Sequence, residues 1–153
     1  MDNKIIFLDI DGVLNHVNTK EPINLEKVKL LKHIVKSTQS KIVLSSSWRV
    51  CNEPNTPQYS QWLYLLDVLS SENLSISDVT PYKEFNRPLE ISIWLKSHPE
   101  VTSWISLDDD FSAEDYEDEG LDPNRLIFTS YFGEGLTLDL AKKAITLLKE
   151  RTK

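Results

Sequence analysis

Two carboxylates one residue apart, Asp9 and Asp11, follow an apolar run at residues 5–8 and stand immediately before Gly12. An unbroken apolar run of that length reads as a strand buried on both faces, and a glycine after it permits a sharp turn. Acids delivered to the carboxyl end of such a strand lie where α/β sheets place their ligands. An Asp-x-Asp-Gly sequence also suits a plain strand-to-turn boundary, because Asp bonds its own backbone and Gly supplies positive φ. A calcium loop of the EF-hand type is excluded. Counted from Asp9, the glycine falls too early and Lys20 occupies the position of the bidentate acid.

Further polar residues recur at comparable points. Ser45, Ser46 and Ser47, followed by Trp48 and Arg49, succeed the apolar run 42–44, and Asp108, Asp109 and Asp110 succeed 104–107. Lys83 and Arg87 lie just before a stretch with helical spacing. Carboxylates from two strand ends form a hard, oxygen-only cation site of the kind Mg²⁺ prefers. Hydroxyl and backbone donors at Ser46 and Ser47 can hold phosphate oxygens, and Arg87 or Lys83 can offset phosphate charge. An Asp can attack phosphorus, and a second Asp two residues on can move protons for the leaving group and water. Trp48 and Arg49 can stack on and clamp a substrate such as a base and its phosphate; core packing and a structural salt bridge are the competing roles.

These residues need elements to position them. The pattern predicts strands at residues 5–8, 41–44, 75–79, 103–107 and 125–128. Helices are expected at about 25–37 with Asn24 as N-cap, about 59–71, from Pro88 to about 97, and about 137–149. Residues 15–22 read as a short flap or loop, 50–58 as loop, and 111–124 as a long acidic loop. Alternating strands and helices without repeats or linkers indicate one doubly wound α/β domain spanning 1–153 with a parallel sheet.

Composition bounds the function classes. The 153 residues, 40% apolar and 27% charged, suit a soluble globular protein with its own core. A single cysteine, Cys51, excludes an internal disulfide and a Cys-rich zinc site. The formal charge of −7 argues against general affinity for nucleic acid or anionic membrane, so nucleic acid enters only as a substrate. The start of the chain enters the first strand directly and no stretch is apolar enough to span a bilayer, so a cytoplasmic location without a signal peptide is expected.

Phe-Leu-Asp9-Ile-Asp11-Gly-Val-Leu resembles the first signature of the haloacid dehalogenase-like (HAD) phosphohydrolases. Residues 42–46 resemble the second signature, Arg87 (or Lys83) the third, and Ile-Ser-Leu-Asp108-Asp109 the fourth, in the same order and spacing. Leu-Ser-Ser-Ser-Trp-Arg, Leu-Asp-Asp-Asp and Gly135-Leu136-Thr137 are similar to a compact subgroup that includes the HAD domains of bacterial RNA-repair proteins.

The resemblance implies a three-layer α/β/α Rossmann-like domain. Its central, mainly parallel five-stranded sheet would carry the first strand in the middle, with no large cap domain. It further implies a Mg²⁺-dependent phosphomonoester hydrolase in which Asp9 becomes phosphorylated and Asp11 serves as general acid and base. Ser46, with Ser47, would bind the phosphoryl group, and Arg87, with Lys83 in reserve, would neutralise charge. Asp9, Asp11 (through its carbonyl), Asp109 and Asp108 would form the metal set. A capless site suits a large substrate such as a nucleic acid end or a phosphoprotein, and admits a metabolite if a partner closes it. A non-catalytic Mg²⁺- and phosphate-binding module and a phosphotransferase are the alternatives.

Overall fold

The computed structural model describes residues 2–152. Strands β1 (Lys4–Leu8), β2 (Lys41–Leu44), β3 (Ile76–Val79), β4 (Ser103–Asp108) and β5 (Leu126–Phe128) form a sheet ordered β3-β2-β1-β4-β5. Every pairing is parallel, so all five carboxyl ends share one edge and β1 is central. Helices α1 (Leu25–Thr38), α2 (Tyr59–Ser71), α3 (Arg87–Lys96), α4 (Ala113–Asp118) and α5 (Leu138–Leu148) cover the sheet.

The pleat sorts each strand's side chains into two cores. Ile6, Leu8, Ile42, Leu44, Ile105 and Leu107 face α1, α2 and α5 through Leu31, Leu65 and Ala144. Ile5, Phe7, Val43, Trp104 and Leu126 face α3 and α4 through Ile91, Trp94 and Tyr116. Phe7 is fully buried and meets Trp94 and Trp104 edge-on at 5.4 and 5.8 Å. Burying such a side chain contributes roughly 1.5–3 kcal/mol, which anchors the strand that carries Asp9 two residues later. The result is the expected three-layer α/β/α arrangement. The segments after β1 and after β3 are short loops with no cap domain between them and the next helix.

The first loop is pinned. Asn24 N donates to Leu14 O, Val17 N to Tyr131 O and Leu136 N to Val13 O, at 2.7–2.9 Å. Asn24 caps α1 by accepting from Lys27 N, as its residue type predicts.

Two segments differ from the sequence expectation. Residues 111–124, expected as loop, contain α4 and a 3₁₀ turn at Pro123–Arg125, which trims the fifth strand to Leu126–Phe128. The cause is local: Ser112 and Asp115 form a reciprocal capping box, and Tyr116 buries its ring against β4. A second 3₁₀ turn, Ser47–Cys51, enters the stretch expected as loop from residue 50, with Ser46 as its cap. No helix among the described residues is long and apolar enough to cross a membrane.

Candidate active site

The site follows from the register. Leu8 pairs with Leu44 and Leu107, so the next residues, Ser45, Asp9 and Asp108, form a row across the carboxyl edge. By the pleat all three lie on the face covered by α3, whose first residue is Arg87. The Arg87 Nη1 donates to Asp9 Oδ2 at 3.1 Å and to Asp108 Oδ1 at 2.8 Å, and the guanidinium lies 5.4 Å from the Phe111 ring. Lys83, the other basic candidate, exposes its side chain, while its backbone N donates to Glu90 Oε2.

Asp9 is 5% exposed, and its Oδ1 accepts from Ile10 N at 2.8 Å. Asp108 is more fully engaged. Its Oδ1 also accepts from Asp110 N, and its Oδ2 accepts from the Tyr116 hydroxyl at 3.2 Å. Asp109 is only partly buried and approaches Asp9 across the turn. Gly12, at φ +81°, makes that approach feasible, since any Cβ there would collide with the Asp109 carboxylate.

Burial pushes the Asp9 carboxyl up to about 8; Arg87 pulls it back, and Asp108 and Asp109 add to the rise. Burial raises Asp108 and Asp109 as well, and for Asp109 the Asp108 charge adds to it. Burial opposes the Arg87 charge, but Asp9 and Asp108 outweigh it and hold the guanidinium above its ordinary value. An aspartate paired with an arginine ordinarily sits low. Here three carboxylates share one guanidinium, and positive charge is in deficit.

That deficit is the test of cation binding. Carboxylate oxygens of Asp9, Asp108 and Asp109 lie within 4.8 Å of one another, an all-oxygen set suited to a hard divalent ion such as Mg²⁺. Asp109, whose carboxylate has the fewest competing donors, is best placed to ligate directly.

The chain without cation is expected to lose stability as pH rises from about 4 to about 8, because Asp9 moves from 3.8 to about 8 on folding. In that window the folded state keeps a proton that the unfolded chain has released, costing about 1.4 kcal/mol per pH unit per such proton. Thermal unfolding should give a Tm that falls across this range and is restored by Mg²⁺. A Tm that rises with pH contradicts the assignment.

Ser46 and Ser47 take different places. Ser46 is buried and its Oγ accepts from Trp48 N at 3.2 Å, while Ser47 is exposed. Sequence reasoning passed over Ser45. Its fully buried hydroxyl has no hydrogen-bond partner and lies in the Asp9 row. Counting two residues along the pleat from Val43 would have singled it out. The Nε of Arg87, on the guanidinium that bonds Asp9, is likewise buried without a partner.

Trp48 and Arg49 are buried at 4% and 8% exposure. Arg49 donates through Nη1 to Ser46 O at 2.7 Å and through Nη2 to Glu90 Oε2 at 2.6 Å. Trp48 Nε1 donates to Asp11 Oδ2 at 3.0 Å. Asp11 itself is exposed, and its carboxylate stands outside the three-acid cluster. Cys51 is buried.

Against known families, the model described as the HAD domain in Swiss Army Knife RNA repair proteins matches residues 5–141. No curated protein matches the chain, and no solved structure matches it.

Proposed function

The chain belongs to this family of HAD domains, and from that premise we propose that it is a Mg²⁺-dependent phosphomonoester hydrolase working through an aspartyl-phosphate on Asp9. The observation that carries the reading is the buried Asp9 at the end of the central strand, paired with Arg87 and clustered with Asp108 and Asp109.

Asp9 supplies the attacking oxygen. As its bond to phosphorus forms, the bond from phosphorus to the ester oxygen breaks, and Asp11 gives that oxygen a proton. Asp11 then takes a proton from water, whose oxygen bonds to phosphorus as the Asp9 bond breaks, releasing phosphate and restoring both acids. Ser45, Ser46 and the Arg87 Nε offer donors to the phosphoryl oxygens. Asp9, Asp109 and the Asp11 carbonyl, with Asp108 beside them, would hold Mg²⁺, which when bound screens phosphate charge from the attacking carboxylate.

The substrate we favour is a phosphorylated RNA end. The family description names RNA repair proteins, and no cap encloses the site. Exposed aromatic pairs, Tyr82 with Phe85 and Tyr131 with Phe132, lie on the loops after β3 and β5 at the same sheet edge and offer faces for bases.

The test is phosphate release from an aryl phosphate, nucleotides, sugar phosphates, a phosphopeptide, and oligonucleotides phosphorylated at the 3′ or 5′ end, with Mg²⁺ or EDTA. Mg²⁺-dependent release, fastest on an oligonucleotide end, is expected. Preference for the phosphopeptide or a metabolite overturns the substrate assignment, and no release from any overturns the hydrolase.

A further inference from the structure

Asp11 is exposed, yet its carboxylate is held from two sides. Oδ1 accepts from Asn15 Nδ2 at 3.0 Å and Oδ2 from Trp48 Nε1 at 3.0 Å. Both donors are fixed in turn. Asn15, 7% exposed, accepts from Gly12 N at its Oδ1 and donates from Nδ2 to Pro22 O, both at 2.8 Å. Turning the amide over would set oxygen against oxygen at Asp11 and Pro22, so its orientation follows from its partners. Trp48 is buried in the core on the α2 side of the sheet, and its position follows from the 3₁₀ turn capped by Ser46.

From this geometry we infer that Trp48, with Asn15, is a positioning residue that fixes the Asp11 carboxylate for proton transfer. Its indole is then spent on Asp11 rather than offered as a platform for substrate. This inference rests on the phosphohydrolase reading. An exposed aspartate ordinarily samples several rotamers, and a proton-transfer group that wanders by an ångström loses much of its effect. The clamp removes that freedom without consuming the group. A carboxylate has about four lone-pair sites and the clamp fills two, leaving one on each oxygen. Indole N–H and amide NH₂ are donors only, so neither can take the proton in place of the leaving oxygen or water.

The effect should depend on the leaving group. An alkoxide needs the Asp11 proton to depart, whereas the anion of an acidic phenol hardly does, and kcat/KM reports the step in which it leaves. In Trp48→Phe, kcat/KM for an alkyl phosphate should fall roughly ten- to a hundredfold, and much less for the aryl phosphate of an acidic phenol. A benzothienyl analogue of tryptophan at position 48, which keeps the ring shape and lacks the N–H, should do the same if Trp48→Phe folds poorly. Equal losses on both esters, or no loss on either, overturn the inference.

The contact also has a readout without turnover. The Trp48 Nε1–H resonance, assigned with Trp48→Phe, should move upfield in Asp11→Ala and stay in place in Asp9→Asn; an unmoved resonance in Asp11→Ala overturns the clamp. If the wild-type protein releases phosphate from neither ester and from no oligonucleotide end, the phosphohydrolase reading fails; whenever both esters are silent, the resonance alone decides whether Trp48 holds Asp11.

Discussion

Replacing Asp9 by Asn is expected to reduce turnover by roughly 10⁴-fold or more, as losses of nucleophiles do, while leaving the fold intact. The amide is nearly isosteric and cannot form an acyl phosphate; its single oxygen can keep the bond from Ile10 N or the one from Arg87 Nη1, which reach different oxygens of Asp9. The same substitution carries a stability signature that separates chemistry from damage. Asp9 is buried and raised to about 8, so its ionisation weakens the wild-type fold as pH rises. Asp9→Asn removes that ionisation, so its Tm should fall less steeply than the wild type between pH 4 and 8. Phosphate-release kinetics and thermal unfolding on one preparation check both parts. Retained turnover contradicts the nucleophile assignment, and an unchanged pH slope contradicts its burial-driven shift.

Arg87→Gln should have the largest effect on stability. The side chain bridges Asp9 and Asp108, which are 5% and 0% exposed, and removing it leaves two buried carboxylates without a cation. Breaking a buried ion pair from one side typically costs about 3–5 kcal/mol. The sign of the pH dependence follows from the carboxylates. Without Arg87 both hold protons more tightly in the folded state, so the deficit relative to wild type should be small near pH 4 and widen once pH passes the points where the wild-type acids ionise, about 8 for Asp9. Denaturant unfolding at several pH values, without added metal, measures it. A deficit independent of pH would mean that Arg87 acts by packing against Phe111 rather than by charge.

How much of this was legible in the sequence depended on distance along the chain. The central strand and its two acids were legible because everything that defines them lies between Lys4 and Gly12, and the pattern of strands and helices was legible for the same reason. Which of Lys83 and Arg87 meets Asp9 was not. The two are four positions apart, and only the start of α3 at Arg87, over the carboxyl edge of the sheet, separates them.

Ser45 was passed over in favour of Ser46 and Ser47 because three serines in a row are equivalent until the pleat assigns faces. The bond from Trp48 to Asp11 spans 37 positions, and nothing local to either residue announces it. Density of acid between residues 108 and 122 concealed α4, although Ser112 and Asp115 stand at capping-box spacing and Tyr116 is the one large anchor behind them. Net acidity describes solvent exposure well and backbone conformation poorly.

The central claim is that Asp9 takes the phosphoryl group. Its most direct test is rapid acid quench during turnover with Mg²⁺, followed by borohydride reduction and peptide mass analysis. An acyl phosphate at Asp9 is reduced to homoserine, whereas a free carboxylate is untouched. Homoserine at position 9 that requires both substrate and Mg²⁺, and does not form in Asp9→Asn, is the predicted result. Steady phosphate release with Asp9 unmodified at every quench time, under conditions that trap an acyl phosphate elsewhere in the chain, would contradict it.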